Sequence, residues 1–193
     1  YINEEDKDFT IRIHAGENDS LRNNVRKSIM CVKESLEKEQ EMPRCRIGHG
    51  LYSEDLNTES GKELLKLMKD TGVVIEFQLT SNVRLNNLSD LKNHPIKIFL
   101  KNGIKCVQGT DGGGMYGSDT FDEQLALQNL LELSDDEFAK MREVEDEITT
   151  KNNIYFMQKS EKFDKFLSGR TIKEAILEEE DKYMKETENQ DEL

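Results

Sequence analysis

Four residues carry the types and settings that chemistry needs: His14, Glu17, His49 and Asp111. His14 closes the β-branched run Ile11-Arg12-Ile13, and the small pair Ala15-Gly16 separates it from Glu17. An imidazole and a carboxylate at one strand mouth suit a metal ligand beside a general acid/base. A structural histidine is the competing reading. Small residues such as Gly16 let a ligand approach the backbone. His49 lies between Gly48 and Gly50, a setting for a tight turn with an accessible ring that can polarise a water or an oxyanion. A plain turn histidine competes. Asp111 ends an apolar run and precedes Gly112, Gly113 and Gly114. It reads as a monodentate metal carboxylate with backbone room for a substrate at Gly112, or as a helix cap. No Gly-Lys-Ser/Thr follows, so the triple glycine is not a phosphate loop. Ser81 and Asn82 can hydrogen-bond in the same mouth or simply form a turn. His94, before Pro95, reads as a cap or a packing residue.

These residues need elements to hold them. Phe9, Ile11 and Ile13 alternate as a strand over 9–14, and Leu21, Val25, Ile29, Val32 and Leu36 predict a helix over 20–40. A second strand, Arg44 to Ile47, closes at Gly48-His49-Gly50, and residues 59–70 follow as an amphipathic helix. Val73 to Phe77 is apolar enough for a strand buried on both faces. Pro95 starts a helix, and Ile104 to Gln108 forms a fourth strand. The polar residues past the strands recur at roughly 30 positions, the size of one parallel βαβ step. In a parallel sheet or a (β/α)₈ barrel, such residues gather at the C-terminal face. The fold class is therefore α/β, with residues 1–133 as the strand-and-helix domain. Residues 134–193 read as an acidic helical segment: Ser134 to Glu137 has capping-box form, and further helices are predicted over 153–167 and 171–186. Before it, Phe121, Leu125, Leu127, Leu130 and Leu131 predict a core-facing helix.

The formal net charge of -13 would be repelled by nucleic-acid backbones and anionic membranes, so neither is an expected partner. No apolar run approaches the roughly 20 residues of a membrane span, and no signal peptide opens the chain. Cys31, Cys45 and Cys106 lack metal-type spacing and read as reduced core fillers, which fits a cytoplasmic setting. The closing Asp191-Glu192-Leu193 reads as a solvated acidic end.

Taken in order, His14-Ala15-Gly16-Glu17, Arg46-Ile47-Gly48-His49-Gly50, Glu76-Phe77-Gln78-Leu79-Thr80-Ser81-Asn82 and Gly109-Thr110-Asp111 resemble the adenosine deaminase family of metal-dependent hydrolases. Asn93-His94-Pro95 to Gly103 fits between the last two. The resemblance covers about residues 9–130 and implies strands 5–8, the C-terminal half, of a (β/α)₈ barrel, with acidic helices after it. It implies one zinc ion, a purine nucleoside substrate and hydrolytic removal of the 6-amino group. On that resemblance His14 and Asp111 would be zinc ligands, Glu17 would shuttle a proton to the purine N1, and His49 would orient and help deprotonate the attacking water. Three features depart from the family pattern. There is no His-x-His, so further zinc ligands are expected upstream of Tyr1. Gly112 stands where a second, purine-contacting aspartate is usual. Gln78-Leu79 replaces Cys-Pro, a change expected to affect only a turn. The expected form is a piece of a larger enzyme, inactive by itself, that pairs with the missing N-terminal half or self-associates through open sheet edges and an exposed apolar face. Two alternatives stand beside it: an amidohydrolase acting on another aminopurine or amide-like bond, and a non-catalytic half-barrel interaction module.

Overall fold

A computed structural model of the chain describes residues 10–85, 88, 94–151 and 174. The chain divides into two compact units, Tyr1–Ile148 and Thr149–Leu193. The helices predicted over 153–167 and 171–186 lie outside the described residues, residue 174 excepted.

The first unit is built on four parallel strands in the order of the chain. They are β1 (Thr10–Ala15), β2 (Arg44–His49), β3 (Val74–Phe77) and β4 (Lys105–Gln108). The register aligns Ile13 with Ile47 and His14 with Gly48. It then aligns Ile47 with Ile75, and Ile75 with Cys106. Side chains alternate across a strand, so this register puts Ile13, Ile47, Ile75 and Cys106 on one face. Helices α1 (Asn24–Glu34), α2 (Glu59–Thr71) and α4 (Ile96–Lys101) cover that face with Val25, Ile29, Leu64, Met68 and Phe99. Between them α3 (Leu79–Arg84) follows β3 directly. After β4 come the single turn α5 (Gly113–Tyr116), then α6 (Thr120–Leu131) and α7 (Asp135–Lys151).

Helix ends follow local chemistry. Thr58 Oγ1 accepts from the Gly61 amide to start α2, and Gly72 ends it in the left-handed region at φ 64°. Asp119 and Asp122 form a reciprocal capping box on α6. Ser134 and Glu137 do the same for α7. The first compact unit runs on through most of α7, whose Met141 is buried in the same core as the sheet.

Three expectations change. The helix predicted over 20–40 is shorter. A 3-10 turn at Asp19–Leu21 precedes it, and Ser35 Oγ bonds back to the Cys31 carbonyl at its end. On α6 the buried stripe is Glu123, Leu127 and Leu131, whereas Phe121, Leu125 and Leu130 face solvent. The exposed apolar sheet face is also overturned. The face opposite the helices carries Arg12, Arg46 and Glu76, with Glu76 bonded to both the Nε and Nη2 of Arg12 and 3.5 Å from Arg46 Nη1. Cys45 and Cys106 are the core fillers expected, with both thiols pushed up by burial, Cys45 to about 11. Cys31 is exposed.

His94 both packs and caps. Its ring lies 4.9 Å from that of Phe77, and its Nδ1 accepts from the Ile96 amide. Burial lowers its pKa from 6.5 to about 4, so the fold holds it neutral. Between those values the unfolded chain binds the extra proton. Its contribution is therefore full above pH 6.5 and is lost as pH falls toward 4, to the extent of about 3 kcal/mol. Urea midpoints measured across that window should fall steeply for the natural chain and more shallowly for His94→Asn.

Candidate active site

The four strands end on the same side, and their ends carry the candidate residues. His14 is the penultimate residue of β1, and His49 is the last of β2. Gln78 follows β3, and Asp111 follows β4 by three positions.

His14, Glu17 and His49 come together. One donor atom from each lies within 4.8 Å of the others. The imidazole rings of His14 and His49 meet edge to face, 5.0 Å between centroids. Gly48 makes room for this. It pairs with His14 across the sheet, and a Cβ there would stand 2.8 Å from His14 Cδ2. Gly48→Ala should therefore displace the exposed His14 ring at little cost in stability. A shift of the His14 ring ¹⁵N signals with an unchanged urea midpoint is the expected result.

His49 is fully buried and held at two atoms. Its backbone amide donates to Gln78 Oε1 at 2.9 Å. Its Nδ1 lies 2.9 Å from Asn82 Oδ1, which puts the ring proton on Nδ1. Its Nε2 is then an acceptor with no hydrogen-bond partner, 3.6 Å from Glu17 Oε1. A buried imidazole nitrogen left open in this way is costly unless something occupies the site.

Asp111 stands outside the His14, Glu17 and His49 group. Its Oδ2 accepts from Ser81 Oγ at 2.8 Å. Among the described residues only three non-glycine residues have positive φ: His49 at 73°, Asp111 at 56° and Glu132 at 51°. Glu132 caps the end of α6. The other two are candidate site residues, each holding backbone strain of order 1–3 kcal/mol.

The two candidate glycines sit differently. Gly16 is buried at φ 71°, its carbonyl accepts from the Tyr52 amide, and a Cβ would lie 2.5 Å from the Tyr52 carbonyl oxygen. Its smallness is thus set by neighbouring backbone. Gly112 is half-buried, and a Cβ there would meet the Tyr116 ring at 3.1 Å.

Sequence reasoning passed over three participants. Gln78 does more than alter a turn: it is fully buried, holds His49 through Oε1 and donates from Nε2 to Glu76. Glu76 anchors Arg12. Glu123, from α6, accepts from the Leu79 and Thr80 amides that open α3. The one signal available was a polar side chain inside an apolar stretch, as at Glu76 and Gln78.

A sequence profile described as adenosine deaminase matches residues 1–145. The chain belongs to the adenosine deaminase family. An adenosine deaminase of Plasmodium gallinaceum is 32% identical over 131 residues, covering 68% of this chain and 33% of that protein. One from Escherichia coli (strain SMS-3-5 / SECEC) is 32% identical over 120 residues, covering 61% and 31%. The chain therefore spans about a third of the length of the curated adenosine deaminases it matches. The crystal structure of an Arabidopsis N6-mAMP deaminase superposes with a TM-score of 0.56 at 20% identity, over 81% of this chain and 42% of that one. That likeness is one of fold. Within the family assignment, the motifs that carried the resemblance are those whose residues gather at the strand ends.

Proposed function

We propose that this chain forms the C-terminal half-barrel of a zinc-dependent hydrolase that removes the 6-amino group of a purine nucleoside. Residues 1–133 would contribute strands 5–8 and residues 134–193 the acidic helical segment. The observation that carries the reading is the His14, Glu17 and His49 group, with His49 Nε2 buried and unpartnered inside it.

The donor chemistry fits zinc, because imidazole nitrogen and carboxylate oxygen are its ordinary ligands. His14 and Asp111 would hold the ion from this side. The remaining donors would come from the part of the family barrel that this chain does not span. When bound, the ion supplies a lowered pKa for a water at the site. This chain's own residues do the rest. His49, proton on Nδ1 and lone pair on Nε2, accepts a proton from the water that attacks C6. Asn82 keeps that tautomer in place. Glu17, about one-third exposed at the mouth, delivers a proton to the ring N1, so negative charge does not build up on nitrogen as C6 becomes tetrahedral. Gly16 and Gly112 would border the substrate. His49 then returns its proton to the amino nitrogen, the C6 hydroxyl proton passes to Glu17, the C6–N bond breaks, and ammonia leaves with the 6-oxopurine remaining.

Gly112 supports a second reading with the same fold and a different aminopurine. With no carboxylate at that position, the Tyr116 ring borders it. Adenosine and N6-methyl-AMP, offered in parallel to the zinc-loaded complete protein in which this half-barrel is joined by its other half, separate the two: ammonia from adenosine supports the first, and methylamine from N6-methyl-AMP the second. Release of neither amine contradicts both.

A further inference from the structure

Helix α3 is six residues long, yet it ties down both strained site residues. Its Ser81 donates to Asp111 Oδ2, and its Asn82 meets His49 Nδ1. Its N-cap residue, Gln78, accepts from the His49 amide. A helix this short does not support itself. Its opening amides have no partners within the helix, and Glu123 meets them. The Leu79 amide donates to Oε1, and the Thr80 amide is shared between Oε2 at 3.2 Å and Oε1 at 3.3 Å. Glu123 is fully buried and heads a stripe whose next members are Leu127 and Leu131. An apolar residue would be the ordinary occupant of such a position. Burial pushes the Glu123 carboxyl up, and the bonds from Thr80 and Leu79 oppose that push.

We propose that Glu123 is a positioning residue for the site: it fixes α3 from below, and through Asn82 and Ser81 it sets the orientation of His49 and Asp111. The functional meaning rests on the deaminase reading, but the chain of contacts does not. A carboxylate spans two adjacent amides with two acceptor oxygens. A glutamine there loses the acceptor at the Oε2 position and turns its NH₂ toward the Thr80 amide, against the shared bond. The start of α3 would shift, and Asn82 and Ser81 with it.

The chain has three histidines, so ring ¹⁵N spectra of the full chain resolve each one. In the natural protein His49 should show a single Nδ1–H tautomer. Glu123→Gln should abolish that single-tautomer pattern and leave the His94 signals in place. Glu123→Asp withdraws the carboxylate by one methylene and should do the same; it serves where the glutamine variant does not fold. Leu127→Ala is the control, since it opens a cavity in the same stripe of α6 without touching the α3 amides. It should lower the melting temperature and keep the His49 tautomer. An unchanged His49 tautomer in the Glu123 variants, or an equal change in Leu127→Ala, overturns the proposal. A protein that releases no amine defeats the deaminase reading and leaves this one standing.

Discussion

Glu17→Gln is expected to lower kcat by about 10²- to 10⁴-fold, the usual worth of a positioned general acid. The amide keeps the shape and hydrogen-bonding reach of the carboxyl but cannot deliver a proton. The fold should be indifferent to the change, because the Glu17 side chain is about one-third exposed. Zinc affinity should also hold, since His14 and Asp111 are the proposed ligands. Amine release measured beside zinc content therefore separates the roles. A fall in activity with full zinc marks Glu17 as the proton carrier. A parallel fall in both marks it as a metal ligand, which the spacing of His14, Glu17 and His49 also permits.

The second large effect is in stability. Glu76 is buried on the sheet face opposite the helices, where Arg12 holds it at two atoms, Arg46 stands at 3.5 Å and Gln78 donates to it at 2.9 Å. Glu76→Ala would leave two guanidinium groups on one face without their carboxylate, together with an unpaired amide on Gln78. Breaking a buried pair on one side costs about 3–5 kcal/mol. The Arg12 and Arg46 side chains are about one-third exposed and can recover water. That recovery puts the expected loss at the lower end, about 3 kcal/mol. Denaturant midpoints at low and high salt provide the check: added salt should restore part of the loss by screening the two cations. His49 is linked to Glu76 through Gln78, so its ring signals should move as well.

The sheet and the strand ends were legible in the sequence because alternation and turn chemistry are local. Ile11 and Ile13 announce β1, Val74 to Phe77 announce β3, and Gly48-His49-Gly50 marks the end of β2 and the turn beyond it. The proximity of His14, Glu17 and His49 was legible through the parallel layout, which brings successive strand ends to one side. What sequence could not give was side-chain pairing across distance. Gln78 looked like a turn residue because the partner that ties it to the site, the His49 amide, is 29 positions away. Glu123 gave no local signal, because its partners are 43 and 44 positions away. Phe121 and Leu125 misled in the opposite sense. They are apolar at helical spacing, but the face that α6 buries carries Glu123, Leu127 and Leu131, which leaves those side chains in solvent. The charged face formed by Arg12, Arg46 and Glu76 was likewise invisible, because its members sit on three different strands.

The most direct test of the proposed active site is amine release from a 6-aminopurine by the zinc-loaded complete protein, this half-barrel together with its other half, followed before and after chelation. The expected result is hydrolysis that stops when the metal is removed, returns when zinc is restored, and is lost in His49→Gln with zinc still bound. Hydrolysis that persists without metal, or that is undiminished in His49→Gln, would contradict the assignment of His14, Glu17, His49 and Asp111 to a zinc-dependent deaminase site.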